Sequence, residues 1–243
     1  MRVTRCHVTQ ALQADSEVTL PEEAANHLLR VLRLREGDTC VLFNGDGHDY
    51  PATLVAASKR DARVRIDVAQ PVGNESPLQI TLVQGIARGD KMDLILQKAT
   101  ELGVAAVIPV TAERTEVRLD AERAAKRLAH WHSVVVAACE QSGRAQLPTL
   151  APPTALDHLA SQLPGGALRL TLDPQGEHSL RTTNVSTTQV VVAIGPEGGW
   201  SPRDREVLAR GQFQGLRLGP RVLRTETAGL AAIAALQARF GDL

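Results

Sequence analysis

This sequence has few aromatic residues and no net charge. The 243-residue chain has one Tyr, two Trp and three Phe, and its 27 basic residues are balanced by 27 acidic ones. So few aromatic rings disfavour a surface that reads RNA mainly by stacking bases. The balanced charge gives no support to nucleic-acid binding as a property of the whole molecule. Any nucleic-acid site therefore has to be a local basic patch.

Cysteine is rare and long apolar runs are lacking. Cys6, Cys40 and Cys139 are odd in number, far apart and without a C-x-x-C pair, which argues against a disulfide framework and against a zinc site. The first ten residues are polar and lack the apolar core of a signal peptide. The longest apolar stretch, residues 229–236, is too short to span a bilayer. We therefore expect a cytoplasmic protein without a bound metal and without a membrane partner.

The N-terminal part of the chain has the pattern of β structure. Residues 41–43 lead into the turn-forming cluster 44–47, and residues 52–55 follow, which is typical of a hairpin. Apolar and charged residues alternate over 63–68, as in a half-buried strand that includes Val68. One helix opens at Pro21, and its apolar side is formed by Leu28, Leu29 and Leu32. The pattern predicts a small β-barrel with one helix.

A domain boundary is indicated where two prolines, a glycine and polar residues occur together in residues 71–77. We place the first domain at residues 1–72, a linker at 73–77 and the second domain at 78–243. In the second domain apolar strand-like runs alternate with helices whose predicted N-caps are Asp90, Asp120, Ser201 and Thr225. This alternation predicts an α/β domain with a mostly parallel sheet covered on both faces.

Two glycine-bearing segments directly follow predicted strands of the second domain. Residues 195–199 follow the strand 190–194, and residues 218–228 lead into the last helix. Ligands of open α/β sheets bind at the carboxyl ends of the strands, and glycines let a ligand approach the main chain. Neither segment matches a Walker loop or a G-x-G-x-x-G fingerprint, so a nucleoside with little phosphate fits better than a dinucleotide. A plain strand-to-helix turn remains the alternative for residues 195–199, and a solvated loop for Arg221 and Arg224.

A third segment, Glu140-Gln141-Ser142-Gly143-Arg144, lies at the predicted end of the long helix. On pattern alone it is better interpreted as a helix C-terminus, with Gly143 ending the helix and Arg144 interacting with the helix dipole.

Taken together, these segments resemble the 16S ribosomal RNA uracil-N3 methyltransferase family of the SPOUT superfamily. The resemblance covers nearly the whole chain and is most specific in the two C-terminal motifs. The matching motifs are Gly195-Pro196-Glu197-Gly198-Gly199, Leu218-Gly219-x-Arg221-Val222-Leu223-Arg224-Thr225-Glu226-Thr227-Ala228, residues 97–104, Glu140-Gln141-Ser142-x-Arg144 and His27-x-x-x-Val31-Leu32-Arg33.

The resemblance implies properties that composition and periodicity do not show. The second domain is expected to carry a deep trefoil knot and to bind S-adenosylmethionine, and the first is expected to be a PUA-like RNA-binding barrel. The protein is expected to be a homodimer that packs through helices of the knot and acts on 16S ribosomal RNA in the small subunit. The implied cofactor-binding residues are Leu172, Ile194, Gly195, Pro196, Glu197, Gly198, Gly199, Leu218, Gly219, Val222, Leu223, Arg224, Thr225, Thr227 and Ala228.

Catalysis requires loss of the proton on uracil N3, which a general base or a stabiliser of the resulting anion would assist. Candidate carboxylates are Glu101, Glu140, Glu197 and Glu226, and candidate anion stabilisers are Arg144 and Arg224. Among them we select Arg144 and Glu140 as catalytic residues. For Glu197 we favour a role in holding its own loop.

An RNA-binding patch is assigned to basic residues of both domains, although each could be an ordinary solvated charge. The assigned residues are Arg2, Arg5, Arg30, Arg33, Arg35, Lys91, Arg114 and Arg221. Two other functions remain open: methylation of another RNA target by the same superfamily, and RNA binding without catalysis.

Overall fold

The computed structural model describes residues 4–58, 61–117, 119–183 and 185–243. The chain divides into two compact units. The first unit extends to Glu75 and also includes Cys139–Leu147, and the second consists of Ser76–Ala138 and Pro148–Leu243. The segment that contains the predicted catalytic residues Glu140 and Arg144 therefore packs with the first unit.

The first unit is built on a mainly antiparallel sheet. Its strands are β1 (Arg5–His7), β2 (Ser16–Thr19), β3 (Thr39–Phe43), β4 (His48–Ala57), β5 (Ala62–Ile66) and β6 (Gln70–Pro71). They are hydrogen-bonded in the order β1-β3-β4-β5-β2, with β6 on β4, and β1 runs parallel to β3. The predicted hairpin is confirmed, because β3 and β4 pair antiparallel across a turn in which Gly45 and Gly47 have positive φ angles of 92° and 90°.

A short helix covers the core of this sheet. Helix α1 (Glu22–Asn26) begins after Pro21 and continues into a π-helical turn over His27–Val31. Leu28 is fully buried against the sheet, whereas Leu32 is 38% exposed. Strand β5 alternates buried and exposed residues but ends at Ile66. Val68 is therefore outside the strand and 58% exposed, and its predicted place on the buried face is wrong.

The second unit is an α/β domain, as predicted. Its strands are β7 (Gln79–Gly85), β8 (Ala106–Thr111), β9 (Thr149–Leu150), β10 (Thr154–Ala155), β11 (Leu168–Leu172), β12 (His178–Ser179), β13 (Gln189–Ile194) and β14 (Gln214–Arg217). The order is β10-β8-β7-β13-β11-β14-β12, with β9 also on β8. Every pairing described in this sheet is parallel, so several strands end at the same edge.

The helices of this unit are α2 (Asp90–Glu101), α3 (Ala121–Ser142), whose last residues belong to the first unit, α4 (Pro202–Arg210) and α5 (Thr225–Phe240). A 3₁₀ turn covers Leu156–Gln162. The predicted apolar face of α2 is confirmed, since Met92, Ile95, Leu96 and Ala99 are each 0% exposed. Helix α5 lies on α2, β13 and β7.

Two of the four predicted helix caps are confirmed. Ser201 and Asp204 form a reciprocal capping box at α4, and a carboxylate oxygen of Asp120 accepts a hydrogen bond from the backbone N–H of Arg123. Asp90 and Thr225 instead lie inside the first turns of α2 and α5, whose N-cap residues are Gly89 and Arg224. Thr225 does not cap its helix because its hydroxyl donates to the carbonyl of Gly195.

Candidate functional site

A cavity of about 510 Å³ opens at the carboxyl edge of the parallel sheet. Five connections that leave this edge contribute to its wall: those after β7, β8, β11, β13 and β14. Its apolar wall includes Leu172, Ile194 and Leu218, while its rim carries several arginines. The volume lies in the range of small-molecule sites, which are commonly apolar with a few polar groups.

The loop after β13 presents its main chain to the cavity. The N–H of Gly199 donates to the carbonyl of Pro196 at 2.8 Å, which closes a tight turn, and Gly199 has a φ of 65°. A Cβ on Gly195 would lie 3.2 Å from the Cα of Gly199. The loop therefore favours glycine at both of these positions: at Gly195 because a Cβ would crowd Gly199, and at Gly199 because of its positive φ.

Glu197 connects this loop to the segment after β7. Its Oε1 accepts from the backbone N–H of Arg88 at 3.1 Å and from Nζ of Lys91 at 3.3 Å. Burial by itself raises the pKa of Glu197, but the hydrogen bonds from the Arg88 N–H, from its own N–H and from Lys91 outweigh this effect and lower the pKa overall. Glu197 is therefore held as an anion and fixes its own loop, in agreement with the interpretation favoured from the sequence.

Arg114, after β8, supports the other end of the same loop. Its guanidinium donates to the carbonyl of Gly198 at 3.1 Å, and a Cβ on Gly198 would lie 3.0 Å from the Cβ of Arg114. Asp173, after β11, pairs with Arg205 of α4 at 2.5 Å. Residues that follow β7 and β8 thus hold the glycine loop, and the pair of Asp173 and Arg205 lines the same cavity.

The second glycine segment closes the opposite wall. Val222 is 81% exposed, and Leu223 and Thr225 line the cavity. Glu226, in the first turn of α5, lies 3.8 Å from Nζ of Lys91, and its Oε2 is buried without a hydrogen bond from any described residue. The cavity therefore combines exposed main chain, an apolar wall and carboxylates next to cations.

Most of the residues assigned to the cofactor meet at this cavity. They are Leu172, Ile194, Gly195, Pro196, Glu197, Gly198, Gly199, Leu218, Gly219, Val222, Leu223, Arg224, Thr225 and Ala228. Thr227 is the exception and lines a neighbouring groove with Ala231 and Ala235, because positions two apart on a helix face different directions. Lys91, Arg114 and Arg221, which were assigned to RNA, also line the cavity.

Sequence reasoning missed part of the lining. The missed residues are Arg88, Asp173, Pro174, Trp200, Arg205 and Leu216. The rule that ligands bind at the carboxyl ends of parallel strands applies equally to the strands that precede Arg88 and Asp173. Applied to every predicted strand, that rule would have identified both residues.

Arg144 and Glu140 belong to the first unit, whereas the residues that line the cavity belong to the second. Arg144 makes a bidentate ion pair with Glu75, with Nε at 3.0 Å and a terminal nitrogen at 2.6 Å from the two carboxylate oxygens. Glu140 accepts a hydrogen bond from the backbone N–H of His7 at 3.0 Å. These described contacts bind the end of α3 to the first unit, and the catalytic role of both residues stays a prediction.

The basic residues assigned to RNA in the first unit differ in exposure. Arg30, Arg33 and Arg35 are exposed. Arg5 is only 10% exposed, since its guanidinium pairs with Asp49, donates to the carbonyl of Arg144 and lies over the ring of Phe43. Arg2 lies outside the described residues.

The fold and the site together define an α/β protein that binds a nucleoside-like ligand at the carboxyl edge of its sheet. Comparison with known families places it more narrowly. The RNA methyltransferase domain model matches residues 74–237 and the RNA methyltransferase PUA domain model matches residues 20–67. The chain therefore belongs to the RNA methyltransferase family that these models describe, and the resemblance noted from its motifs is confirmed.

Individual relatives agree with this assignment. Ribosomal RNA small subunit methyltransferase E of Bacillus subtilis is 30% identical over 93% of this chain and 92% of its own length. The crystal structure of the Neisseria gonorrhoeae protein of that name, bound to S-adenosylmethionine, has 41% identity, a TM-score of 0.94 and 99% coverage of both chains. A Legionella pneumophila methyltransferase in complex with the same cofactor has 38% identity, a TM-score of 0.96 and full coverage of both chains.

Within the described ranges, no helix is both long and apolar enough to cross a membrane.

Proposed function

We propose that this protein transfers a methyl group from S-adenosylmethionine to N3 of a uridine in 16S ribosomal RNA of the small subunit, giving 3-methyluridine. The observation that carries the proposal is the cavity at the carboxyl edge of the sheet, in which both glycine motifs of the methyltransferase family meet. Relatives that align over nearly the whole chain are named ribosomal RNA small subunit methyltransferases, and related structures hold S-adenosylmethionine.

The residues present fit this cofactor. The glycine loop brings main chain to the wall of the cavity, where a nucleoside can contact it at close range. Leu172, Ile194 and Leu218 supply apolar contact area. The buried oxygen of Glu226 that lacks a hydrogen bond from the described residues provides an acceptor beside the cavity. We assign cofactor binding to the two glycine segments and the wall formed by Leu172.

The contribution of this chain to the reaction is mainly alignment. S-adenosylmethionine supplies a methyl group that is already activated on a sulfonium, so orientation provides much of the rate. The anchored glycine loop and the first turn of α5 hold their groups in place before the substrate arrives. Uracil N3 is hidden in a stacked or paired base, and we expect the base to be turned out to reach the cavity. Arg88, Lys91 and Arg221 at the rim are placed to contact phosphates of the RNA.

The remaining expectations from the family belong to the same proposal. We propose that residues 1–72 form a PUA-like RNA-binding barrel, that 73–77 are a linker and that 78–243 form a trefoil-knotted catalytic domain. We propose a homodimer that works on the small subunit in the cytoplasm.

The test is nucleoside mass spectrometry after the protein is incubated with S-adenosylmethionine and small ribosomal subunits from a strain that lacks this enzyme. We expect 3-methyluridine to form. A parallel assay with naked 16S RNA tests whether the enzyme acts on free RNA or on the assembled subunit. A different methylated nucleoside would mean that this protein methylates another position or base of the RNA. No methylated nucleoside, with cofactor binding intact, would indicate an RNA-binding homologue without catalysis.

A further inference from the structure

A fully buried glutamine lies directly beneath the cavity. Gln84, near the end of β7, is 0% exposed and does not line the cavity itself. Its Nε2 donates to the hydroxyl of Thr225 at 3.0 Å and to the carbonyl of Gly85 at 2.9 Å. The hydroxyl of Thr225 in turn donates to the carbonyl of Gly195 at 2.6 Å. The chain of bonds therefore joins β7, the first turn of α5 and the glycine loop.

The direction of these bonds is determined by chemistry. The hydroxyl of Thr225 has one hydrogen, and the carbonyl of Gly195 can only accept, so the hydroxyl donates to Gly195 and accepts from Gln84. Rotating the Gln84 amide by half a turn would place its oxygen against the carbonyl of Gly85, two acceptors facing each other. Only an amide or another donor of the same reach at position 84 completes the chain.

Two glycines bring the same elements into close contact. Gly229 lies one turn further along α5. A Cβ at this position would be 3.5 Å from Oε1 of Gln84 and 3.5 Å from the side chain of Ile194. Gly85 meets the backbone of Pro196 with no room for a side chain. The Gln84 bonds therefore act where β7 meets the backbone of the glycine loop and where α5 packs closely on the side chains of β7 and β13, and such contacts do not adjust smoothly.

We propose that Gln84 is a positioning residue for the reaction: through Thr225 it fixes the first turn of α5 against the glycine loop and thereby sets the affinity for S-adenosylmethionine. This inference rests on the proposed function for the identity of the ligand. The hydroxyl of Thr225 joins the first turn of α5 to the glycine loop at Gly195, and Gln84 holds that hydroxyl in place on β7. Without the amide the Thr225–Gly195 bond is no longer anchored to β7, and binding of the ligand then has to restore the position of the two segments.

The test replaces Gln84 by methionine, which keeps the length of the side chain and removes the donor. We expect the dissociation constant for S-adenosylmethionine, measured by titration calorimetry, to rise about tenfold, a value typical of one lost hydrogen bond. The rate of 3-methyluridine formation at saturating cofactor should change less than twofold, so that KM for the cofactor carries the effect.

Gln237 offers a matched control on the same helix. It is also 0% exposed, accepts from the hydroxyl of Ser76 at 2.7 Å and donates to the carbonyl of Leu102 at 3.1 Å, but it lies at the far end of α5. We expect Gln237→Met to lower the melting temperature while the affinity for S-adenosylmethionine stays within twofold of the wild type. Equal changes of affinity in the two variants would overturn the inference.

Thr225 provides the second variant, which decides the matter even if Gln84→Met does not fold. Thr225→Val, of nearly the same shape, removes the hydroxyl and is expected to lose at least as much affinity as Gln84→Met, whereas Thr225→Ser, which keeps the hydroxyl, is expected to lose less. The double variant Gln84→Met/Thr225→Val should lose little more than Thr225→Val alone, because that variant already removes the group to which Gln84 donates. Full additivity, or wild-type affinity in Thr225→Val, would refute the role. Absence of binding by the wild type would instead refute the proposed function.

Discussion

At the scale of single residues, Glu197 has the clearest link between contacts and charge. Its side chain is 16% exposed and shares Lys91 with Glu226. Its lowered pKa means that the folded protein favours the ionised form more than the unfolded chain does. The stability contributed by this charge is fully present above the ordinary pKa of 4.5 and is lost as the pH falls through the lower pKa of the folded state.

Replacing Glu197 by glutamine should therefore lower the free energy of unfolding at pH 7 by about 1 kcal/mol, since a charge-assisted hydrogen bond becomes a neutral one. Denaturant unfolding measures the free energy of unfolding of both proteins between pH 7 and pH 3, the lower end being roughly one to two units below the ordinary carboxylate pKa. The difference between the wild type and the variant should disappear toward the acidic end of this range. Glu116→Gln is the control, because Glu116 pairs with the same Arg88 but is 55% exposed. A constant difference across the pH range would contradict the assignment.

Arg144 is a buried cation whose partner is a carboxylate: 6% of its side chain is exposed, and it donates to both oxygens of Glu75. Arg144→Ala leaves Glu75 without this partner, and we expect the free energy of unfolding to fall by about 2 kcal/mol, as measured by denaturant titration. The same change at Arg63, whose pair with Glu17 is about half exposed on both sides, should cost less than about 0.5 kcal/mol. Methylation by a folded Arg144→Ala protein at the wild-type rate would show that its predicted catalytic role is wrong.

At the scale of elements, the contact between β7 and the glycine loop depends on the absence of one methyl group. A Cβ on Gly85 would lie 2.4 Å from the nitrogen of Pro196 and 2.8 Å from the carbonyl carbon of Gly195. Both neighbours are backbone atoms, which cannot turn aside as a side chain could. The strand and the loop would have to separate, and the cavity wall would move with them.

We expect Gly85→Ala to destabilise the protein by about 1–3 kcal/mol, the range for overpacked positions, and to weaken cofactor binding. Gly73→Ala is the control, since nothing lies within 4 Å of the position that its Cβ would occupy and it should change stability by less than about 0.5 kcal/mol. Thermal unfolding and calorimetric titration measure the two effects. A Gly85→Ala protein as stable and as tightly binding as Gly73→Ala would show that the contact is not close in solution.

Helix starts illustrate what local pattern can and cannot predict. The capping box of Ser201 and Asp204 forms as its residue types indicate, because its bonds lie within one turn of chain. Thr225 has an equally suitable side chain for a cap, yet the carbonyl of Gly195, 30 positions away, takes its hydroxyl. Local propensity decides a helix start only where no tertiary partner competes for the same group.

At the scale of the whole molecule, the three thiols are all buried. Burial raises the pKa of Cys6 to about 12 and those of Cys40 and Cys139 to about 11. Thiolate is the reactive form, so we expect the native protein to react very slowly with iodoacetamide at pH 8, and the guanidinium-unfolded protein to be modified at all three cysteines. Mass spectrometry of the two samples measures this. Rapid modification of one cysteine in the native protein would contradict this prediction and show that the segment around that residue opens to solvent.

Features whose cause is local could be predicted from the order of the amino acids. The turn between β3 and β4, the buried face of α2, the box at Ser201 and the two glycine segments after strands each depend on residues within a few positions of one another. The rule for carboxyl ends of parallel strands then brought the two glycine segments together. Thr227 lines a neighbouring groove instead, because the direction in which each helical residue points is not visible in a motif written as a continuous string.

Pairings between residues far apart in the chain could not be predicted in this way and became visible only in the folded protein. Lys91 meets Glu197 across 106 positions, Gln84 meets Thr225 across 141, and Arg144 meets Glu75 across 69. The residues around a charged or amide side chain in the sequence do not indicate its partner. Such a contact contributes free energy only once packing has excluded water from it. For that reason the sequence indicated which segments meet at the cavity, whereas the fold determined which side chains hold those segments in place.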